Sequence, residues 1–294
     1  MRTTRRDFIR ASLLVGSGTI LVPPAWGANY DGDDKFDLEI GVCTEYGKSG
    51  LLEDSGYSFV EEGVRRFLVP TENEEKFMKI MVATRNYSLP VKALNSFLPA
   101  ELKCVGSKMD TSAILKYAET SFRRAHVAGI GIIVLGSGKA RQIPEGFSGQ
   151  EARRQFVELC RKMAPLAEKY KVTIVLEPLN KEECNFINSV AEGGDIVKEV
   201  NHPNFLLLAD LYHMSKEGES PESILRYGHL LRHVHVAQKA GRSAPGTTPE
   251  DFTEYFRALR RVGYRGLISI ECQWQNMEKQ LPVAIQALRT QMAG

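Results

Sequence analysis

Four stretches in the second half of the chain decide its fold: Thr173-Ile174-Val175-Leu176-Glu177, Leu206-Leu207-Leu208-Ala209-Asp210, Arg232-His233-Val234-His235-Val236 and Ile268-Ser269-Ile270-Glu271. Each is a short, mainly apolar run that ends in a carboxylate or an imidazole. Successive side chains on a strand point to opposite faces. With Glu177 on one face, Val175 and Thr173 share it, while Leu176 and Ile174 take the other. The same alternation pairs Asp210 with Leu208, His235 with His233 and Glu271 with Ser269.

Working outward from these runs, further candidate strands lie at 38–43, 59–62, 91–97 and 131–135, and the four quoted ones extend over 172–177, 205–210, 231–236 and 266–271. Helical patterns lie between them at 74–86, 111–128, 149–170, 188–200, 221–227, 249–262 and 278–292. Asp110-Thr111 and Thr247-Thr248-Pro249-Glu250 read as helix starts. The first crossover, 47–57, is short and glycine-rich, so its helix is degenerate. Eight strand–helix units in about 250 residues match a single-domain (β/α)8 TIM barrel. A doubly wound sheet would need a glycine-rich fingerprint after strand one, where the chain has Thr44-Glu45-Tyr46-Gly47 instead. Gly136-Ser137-Gly138-Lys139 lacks the spacing of a phosphate loop. The barrel domain is expected over 36–294.

Barrel enzymes place their sites at the C-terminal ends of the strands. The strand ends put Glu177, Asp210, His235 and Glu271 on one rim. Three carboxylates and one imidazole form a hard, oxygen-rich ligand set, which favours a divalent cation with positions left open for substrate oxygens. Mn²⁺ is the first expectation, with Mg²⁺, Co²⁺ or Zn²⁺ as alternatives. A single strand-end acid is ordinarily just solvated, but four such ligand-type ends on consecutive strands make a site. His233, two residues deeper than His235, is expected to pack as a hydrogen-bonded interior residue. His126, His202 and His229 fall on helix or loop patterns. That leaves too few histidines for the trinuclear zinc centre of a DNA-repair endonuclease.

From about Leu38 to its end the chain resembles the xylose isomerase-like sugar isomerase/epimerase barrels, and most of all their D-tagatose 3-epimerase/D-psicose 3-epimerase branch. The resemblance rests on Glu177-Pro178-Leu179-Asn180, Asp210-Leu211-Tyr212-His213, His233-Val234-His235 and Glu271. It implies substrate-binding roles for Glu183, His213 and Arg242. The placement of Arg242 is approximate, because Lys239-Ala240-Gly241-Arg242-Ser243 has one arginine where the branch often has two. The implied chemistry is ketose 3-epimerisation through a metal-stabilised enediolate, with Glu177 and Glu271 as the catalytic acid/base pair on opposite faces of the reacting carbon. Two other readings begin from the same residues: a lyase or hydrolase-like enzyme acting on 3-keto-glycosides, and a non-catalytic exported sugar-binding protein. The loop Gly136-Ser137-Gly138 with Arg141 either closes the pocket or is a plain β–α turn.

The N-terminus adds an address. Thr4-Arg5-Arg6-Asp7-Phe8-Ile9-Arg10, an apolar run from Ala11 to Val22 and Pro23-Pro24-Ala25-Trp26-Gly27-Ala28 have the three parts of an export signal. The adjacent arginines resemble the twin-arginine pattern. Residues 1–27 are therefore expected to be a cleaved signal, leaving a periplasmic protein without a stable membrane segment. The full chain carries +2, and residues 1–27 hold four arginines against one aspartate. The remainder stands at −1, with no general attraction for nucleic acid or an anionic membrane. Five cysteines without C-x-x-C spacing suggest buried packing residues rather than disulfides or a zinc knuckle. The expected partner is a small sugar or keto-sugar; a homo-oligomer is suggested by the resemblance alone.

Overall fold

Eight parallel strands close into a barrel in the order of the sequence, and the first pairs with the last. They are β1 (Ile40–Cys43), β2 (Phe59–Gly63), β3 (Val91–Asn95), β4 (Ile132–Leu135), β5 (Thr173–Leu176), β6 (Phe205–Asp210), β7 (Leu231–Val236) and β8 (Leu267–Ile270). The computed structural model describes residues 36–294; the export-signal reading of 1–27 lies outside them. Parallel neighbours need long crossovers. These contain α1 (Ser49–Asp54), α2 (Val64–Phe67), α3 (Glu74–Thr84), α4 (Thr111–Val127), α5 (Gly138–Arg141), α6 (Gly149–Lys169), α7 (Val190–Val200), α8 (Leu211–Glu217), α9 (Glu222–Tyr227), α10 (Thr253–Arg261) and α11 (Met277–Ala293). The architecture is the expected (β/α)8 barrel. Among the described residues no helix is long and apolar enough to cross a membrane.

Every expected strand is present, with ends moved by two residues at most. The longer helices begin where a side chain can satisfy an early amide: Asn73, Asp110, Ser148, Ser189 and Asn276 each accept from the N–H three residues on. α1 is short, as its composition implies. One start differs. The helix expected from 249 begins at Thr253, because Gln238 draws Thr248 into a loop, donating to its carbonyl (2.8 Å) and accepting from its amide (2.7 Å). The short helices α2 and α8 directly follow β2 and β6, α5 follows β4 after a two-residue turn, and all three are too brief to leave a helical period in the sequence.

Side-chain alternation divides the core in two. Ala93, Ile132, Val134, Val175 and Leu208 form a small cluster inside the barrel, whereas Ile174, Leu176 and Leu207 join the larger layer packed under the helices. Burying each such aliphatic side chain stabilises the fold by about 1.5–3 kcal/mol. Two irregularities adjust the register. The β2–β3 pairing slips between Val60 and Glu61, and the β6–β7 pairing between Leu207 and Leu208. After the second slip Asp210 stands beside His235, and His235 stands beside Ser269. A bulge of this kind re-aims side chains near a site.

Gly41 on β1 is required by its neighbour. A Cβ there would come within 2.4–2.5 Å of the buried Phe59 ring on β2. Gly41→Ala is expected to cost about 1–3 kcal/mol through overpacking. A urea titration should show a lowered midpoint, and adding Phe59→Leu should recover part of the loss.

Candidate active site

The ends of β5, β6, β7 and β8 bring one ligand atom from each of Glu177, Asp210, His235 and Glu271 within 4.8 Å of one another. The four residues expected from the strand ends therefore converge. Glu177 and Glu271 stand one residue past their strands, and Asp210 is the last residue of its own. His235 is fully buried, with Nδ1 3.2 Å from Glu177 Oε1 and 3.4 Å from Glu271 Oε2.

Asp210 has two separate duties. Its Oδ1 accepts the Tyr212 amide (2.8 Å) and caps α8, while its buried Oδ2 accepts no hydrogen bond, with His213 Nε2 at 3.5 Å and Arg242 Nη2 at 3.6 Å as neighbours. An orphaned, buried carboxylate oxygen is costly unless a cation meets it. Together with the hard donor set, this orphan oxygen fits a divalent metal ion held by Glu177, Asp210, His235 and Glu271.

The environments of the carboxylates differ. Burial pushes Glu177 up, and the nearby Glu271 and Asp210 charges add to it. Asp210 is also raised by burial. Burial acts on Glu271 in the same direction, but His235 and Arg242 outweigh it and hold the group at about 2. Burial alone would lower His235, yet the neighbouring carboxylates, Glu61 foremost and then Glu271, raise it well above the ordinary histidine value.

Glu61, on β2, is the residue that the strand-end reading missed. It is fully buried, and its Oε1 lies 3.0 Å from His235 Nε2 while its Oε2 lies 2.7 Å from His233 Nε2. One carboxylate thus aligns both histidines, leaving His235 Nδ1 for the cluster. A carboxylate behind a ligating imidazole fixes its orientation and tautomer. A signal was available, since the strand at 59–62 also ends in acids and alternation turns one of them inward. Its partner Glu62 accepts the amides of Tyr46 and Gly63 and pairs with Arg66. His233 packs as a buried, hydrogen-bonded interior residue, with Ser269 Oγ 3.3 Å from its Nε2. Asn95, also unforeseen, donates to Glu271 Oε1 at 3.2 Å.

A pocket of about 370 Å³ opens over the cluster. Glu177 and Glu271 line it, whereas Asp210 and His235 are buried behind (2% and 0% exposed). Glu183, His213 and Arg242 line it too, so the three residues carried over from the resemblance are gathered in one cavity. Asn180 organises two of them. Its amide donates to His213 Nδ1 (3.1 Å) and its Nδ2 donates to Glu183 Oε1 (3.0 Å). Since Nδ1 accepts, the neutral ring carries its proton on Nε2, which is buried without a hydrogen bond, 3.5 Å from Asp210 Oδ2. Burial keeps this ring below the ordinary histidine value.

Arg242 stacks over the Tyr212 ring (4.7 Å), donates from Nε to the Glu271 carbonyl (3.1 Å), and pairs with the carboxylates of Glu271 and Glu183.

The turn after β4 borders the pocket. Gly136, Ser137 and Gly138 line the pocket, and a Cβ on Gly136 would sit 2.1 Å from Glu177 Oε2. Arg141 does not line it; it is fully buried behind the turn. The five cysteines are free, and three are fully or almost fully buried packing residues. Cys43 differs in facing the site, its Sγ grouped with Glu61 and His235 within 4.8 Å. Burial raises its thiol well above the ordinary value.

The fold and this rim together define the class. Residues 50–291 match the xylose isomerase-like TIM barrel family, and the chain belongs to it. Among curated relatives, it is 32% identical over 148 residues to L-ribulose 3-epimerase of Methylomonas sp. (strain DH-1), covering 45% of this chain and 51% of that one. It is 36% identical over 116 residues to D-psicose 3-epimerase of Ruminiclostridium cellulolyticum, covering 39% of each. These matches span about half the relatives' length or less. A crystal structure of D-psicose 3-epimerase in the presence of D-fructose superposes with a TM-score of 0.72 at 18% identity, covering 87% of this chain and all of that one. At that identity the likeness is one of fold.

Glu61→Gln is expected to weaken Mn²⁺ binding about 10–100-fold, the usual effect of losing the group behind a ligand. His233→Ala should mainly lower the melting temperature. His235→Ala should lose the metal; isothermal titration of the three purified variants separates the roles, and equal metal loss in His235→Ala and His233→Ala would show that the histidines were assigned the wrong way round.

Proposed function

We propose that this protein is a divalent-metal-dependent carbohydrate isomerase or epimerase, acting on a ketose by inversion at the carbon next to the carbonyl. One observation carries the reading: of four clustered donors, Glu177 and Glu271 also line the pocket. They stand on β5 and β8, on either side of the buried Asp210 and His235. A bound divalent cation would supply Lewis-acid stabilisation of the negative charge that develops when the substrate is deprotonated. The names of the relatives, L-ribulose 3-epimerase and D-psicose 3-epimerase, support the substrate class.

The residues of the chain divide the work. One of Glu177 and Glu271 removes the proton from the carbon beside the carbonyl, and the other returns a proton from the opposite face. Return to the same carbon inverts it. Return to the neighbouring carbon gives aldose–ketose isomerisation instead. His213, whose Nε2–H makes no hydrogen bond and lies 3.5 Å from Asp210 Oδ2, donates to a substrate oxygen, while Glu183 and Arg242 hold hydroxyl groups in register. Asn95 and Glu61 keep Glu271 and His235 in place behind them.

Chelation should abolish turnover, and Mn²⁺, Co²⁺ or Mg²⁺ should restore it. Glu177→Gln and Glu271→Gln keep an oxygen ligand and lose the basic carboxylate, so each should still bind metal, more weakly than wild type, and lose turnover by about 10²-fold or more. In D₂O the wild-type enzyme should place deuterium on the inverted carbon, read by NMR over a panel of ketoses and keto-glycosides. Release of an aglycone would favour the 3-keto-glycoside lyase, and product without deuterium would point to internal hydride transfer.

We also propose export by the twin-arginine route, supported by Arg5-Arg6 ahead of the apolar run 11–22. The double variant Arg5→Lys, Arg6→Lys should leave active enzyme in the cytoplasmic fraction. Normal export of that variant would exclude the route.

A further inference from the structure

Arg141 is fully buried and forms no ion pair among the described residues; its Nη1 and Nη2 face main-chain carbonyls, while its Nε is buried without a hydrogen-bond partner. Nη1 donates to the Glu177 carbonyl (2.7 Å) and lies 3.5 Å from that of Leu135, and Nη2 lies 3.4 Å from that of Ile187. A buried guanidinium without a carboxylate is an unusual arrangement. Its position explains why it persists.

The last β4–β5 pair is Leu135 with Leu176, and the Glu177 amide adds a final rung to the Leu135 carbonyl (3.2 Å). On the other side, the β5–β6 pairing stops at Leu176 with Leu207. Pro178 follows and has no N–H to offer. The Glu177 carbonyl thus lies beyond both ladders in a buried place, where an unpaired carbonyl is costly. Arg141 supplies its donor.

The route of the chain makes this possible. Ser137 turns through the left-handed region (φ 41°), and α5 brings Arg141 back behind β5. Gly138 permits the close return, since a Cβ there would meet Leu179 Cδ1 at 2.9 Å and the Glu183 carbonyl at 3.1 Å. Ile187, a β-branched residue at φ 64°, has its carbonyl held by the Leu179 amide (3.1 Å) as well as by Arg141. That carbonyl closes the loop that carries Asn180 and Glu183. One guanidinium therefore ties down Glu177 and the base of the loop that presents Glu183 to the pocket.

We propose that Arg141 is a positioning residue for the metal and substrate site, acting through the Glu177 main chain to hold its carboxylate in place. This rests on the reading of Glu177 as a metal ligand.

The test is Mn²⁺ titration, followed by water-proton relaxation, of wild type, Arg141→Gln, Arg141→Lys, Glu177→Gln and the double variant Arg141→Gln/Glu177→Gln, each checked for native circular dichroism. Arg141→Gln is expected to fold and to bind Mn²⁺ about 10–100-fold more weakly, the range for groups that orient metal ligands. Arg141→Lys should fall between it and wild type. Because Arg141 acts through Glu177, the double variant should bind no more weakly than Glu177→Gln alone. A purely structural arginine would lower the melting temperature and leave the Mn²⁺ affinity of the folded protein unchanged. Wild-type affinity in Arg141→Gln, or fully additive losses in the double variant, overturns the proposal. So does failure of both Arg141 variants to fold, which would assign the residue to barrel stability. Undiminished Mn²⁺ binding in Glu177→Gln would instead refute the ligand reading, and the Arg141 role with it.

Discussion

Four carboxylates converge on a single imidazole at the mouth of the barrel, and the cost of keeping that much like charge out of water constrains the rest of the site. His235 is bounded by Glu177 and Glu271 at one nitrogen and by Glu61 at the other. At an effective dielectric of about 20, two unit charges 4 Å apart interact by roughly 4 kcal/mol. Like charges at such spacing need cations among them. The chain itself provides His235 and Arg242, which together hold Glu271 strongly ionised. Glu177 and Asp210 are less well compensated and are pushed the other way. A divalent cation supplies what these two lack.

Precision at this point is bought by backbone rather than by side-chain packing alone. Gly136 clears the space taken by the Glu177 carboxylate. Asp210 commits one oxygen to the first turn of α8, and that bond aims the other at the cluster. The slip in the β6–β7 register sets Asp210 beside His235. Left-handed residues on pocket loops, Ser96, Ser137 and Arg242, show local strain where the chain must present groups inward. Such strain persists only where surrounding contacts over-determine it. Asn180 and the Ser137 hydroxyl, which accepts the Leu98 amide at 2.9 Å, are examples of those contacts.

Much of the site was legible because a barrel obeys one simple rule. If strand ends face a common mouth and side chains alternate, the last inward residue of each strand is a candidate, and this rule finds Glu177, Asp210, His235 and Glu271 without coordinates. The rule also contains Glu61, but the quoted runs drew attention to strands five to eight, where acids follow long apolar stretches. Glu61 sits in Val60-Glu61-Glu62-Gly63, where two adjacent acids hide which one turns inward. Asn95 gave no comparable sign, since an asparagine after a short apolar run is an ordinary strand end.

The sequence by itself determined the alternation of strands and helices, the inward parity of each strand and the chemical hardness of its rim. These are local properties, set by a two-residue or a 3.6-residue period and by side-chain type. The tertiary structure alone decided how the strands register against one another, which of the two glutamates on β2 reaches His235, and which strand-end acids border open space. It also decided that Arg141 turns away from the pocket to serve the Glu177 carbonyl. Those outcomes depend on bulges, on glycine-permitted turns and on groups distant in the chain competing for the same buried volume, none of which leaves a period in the sequence.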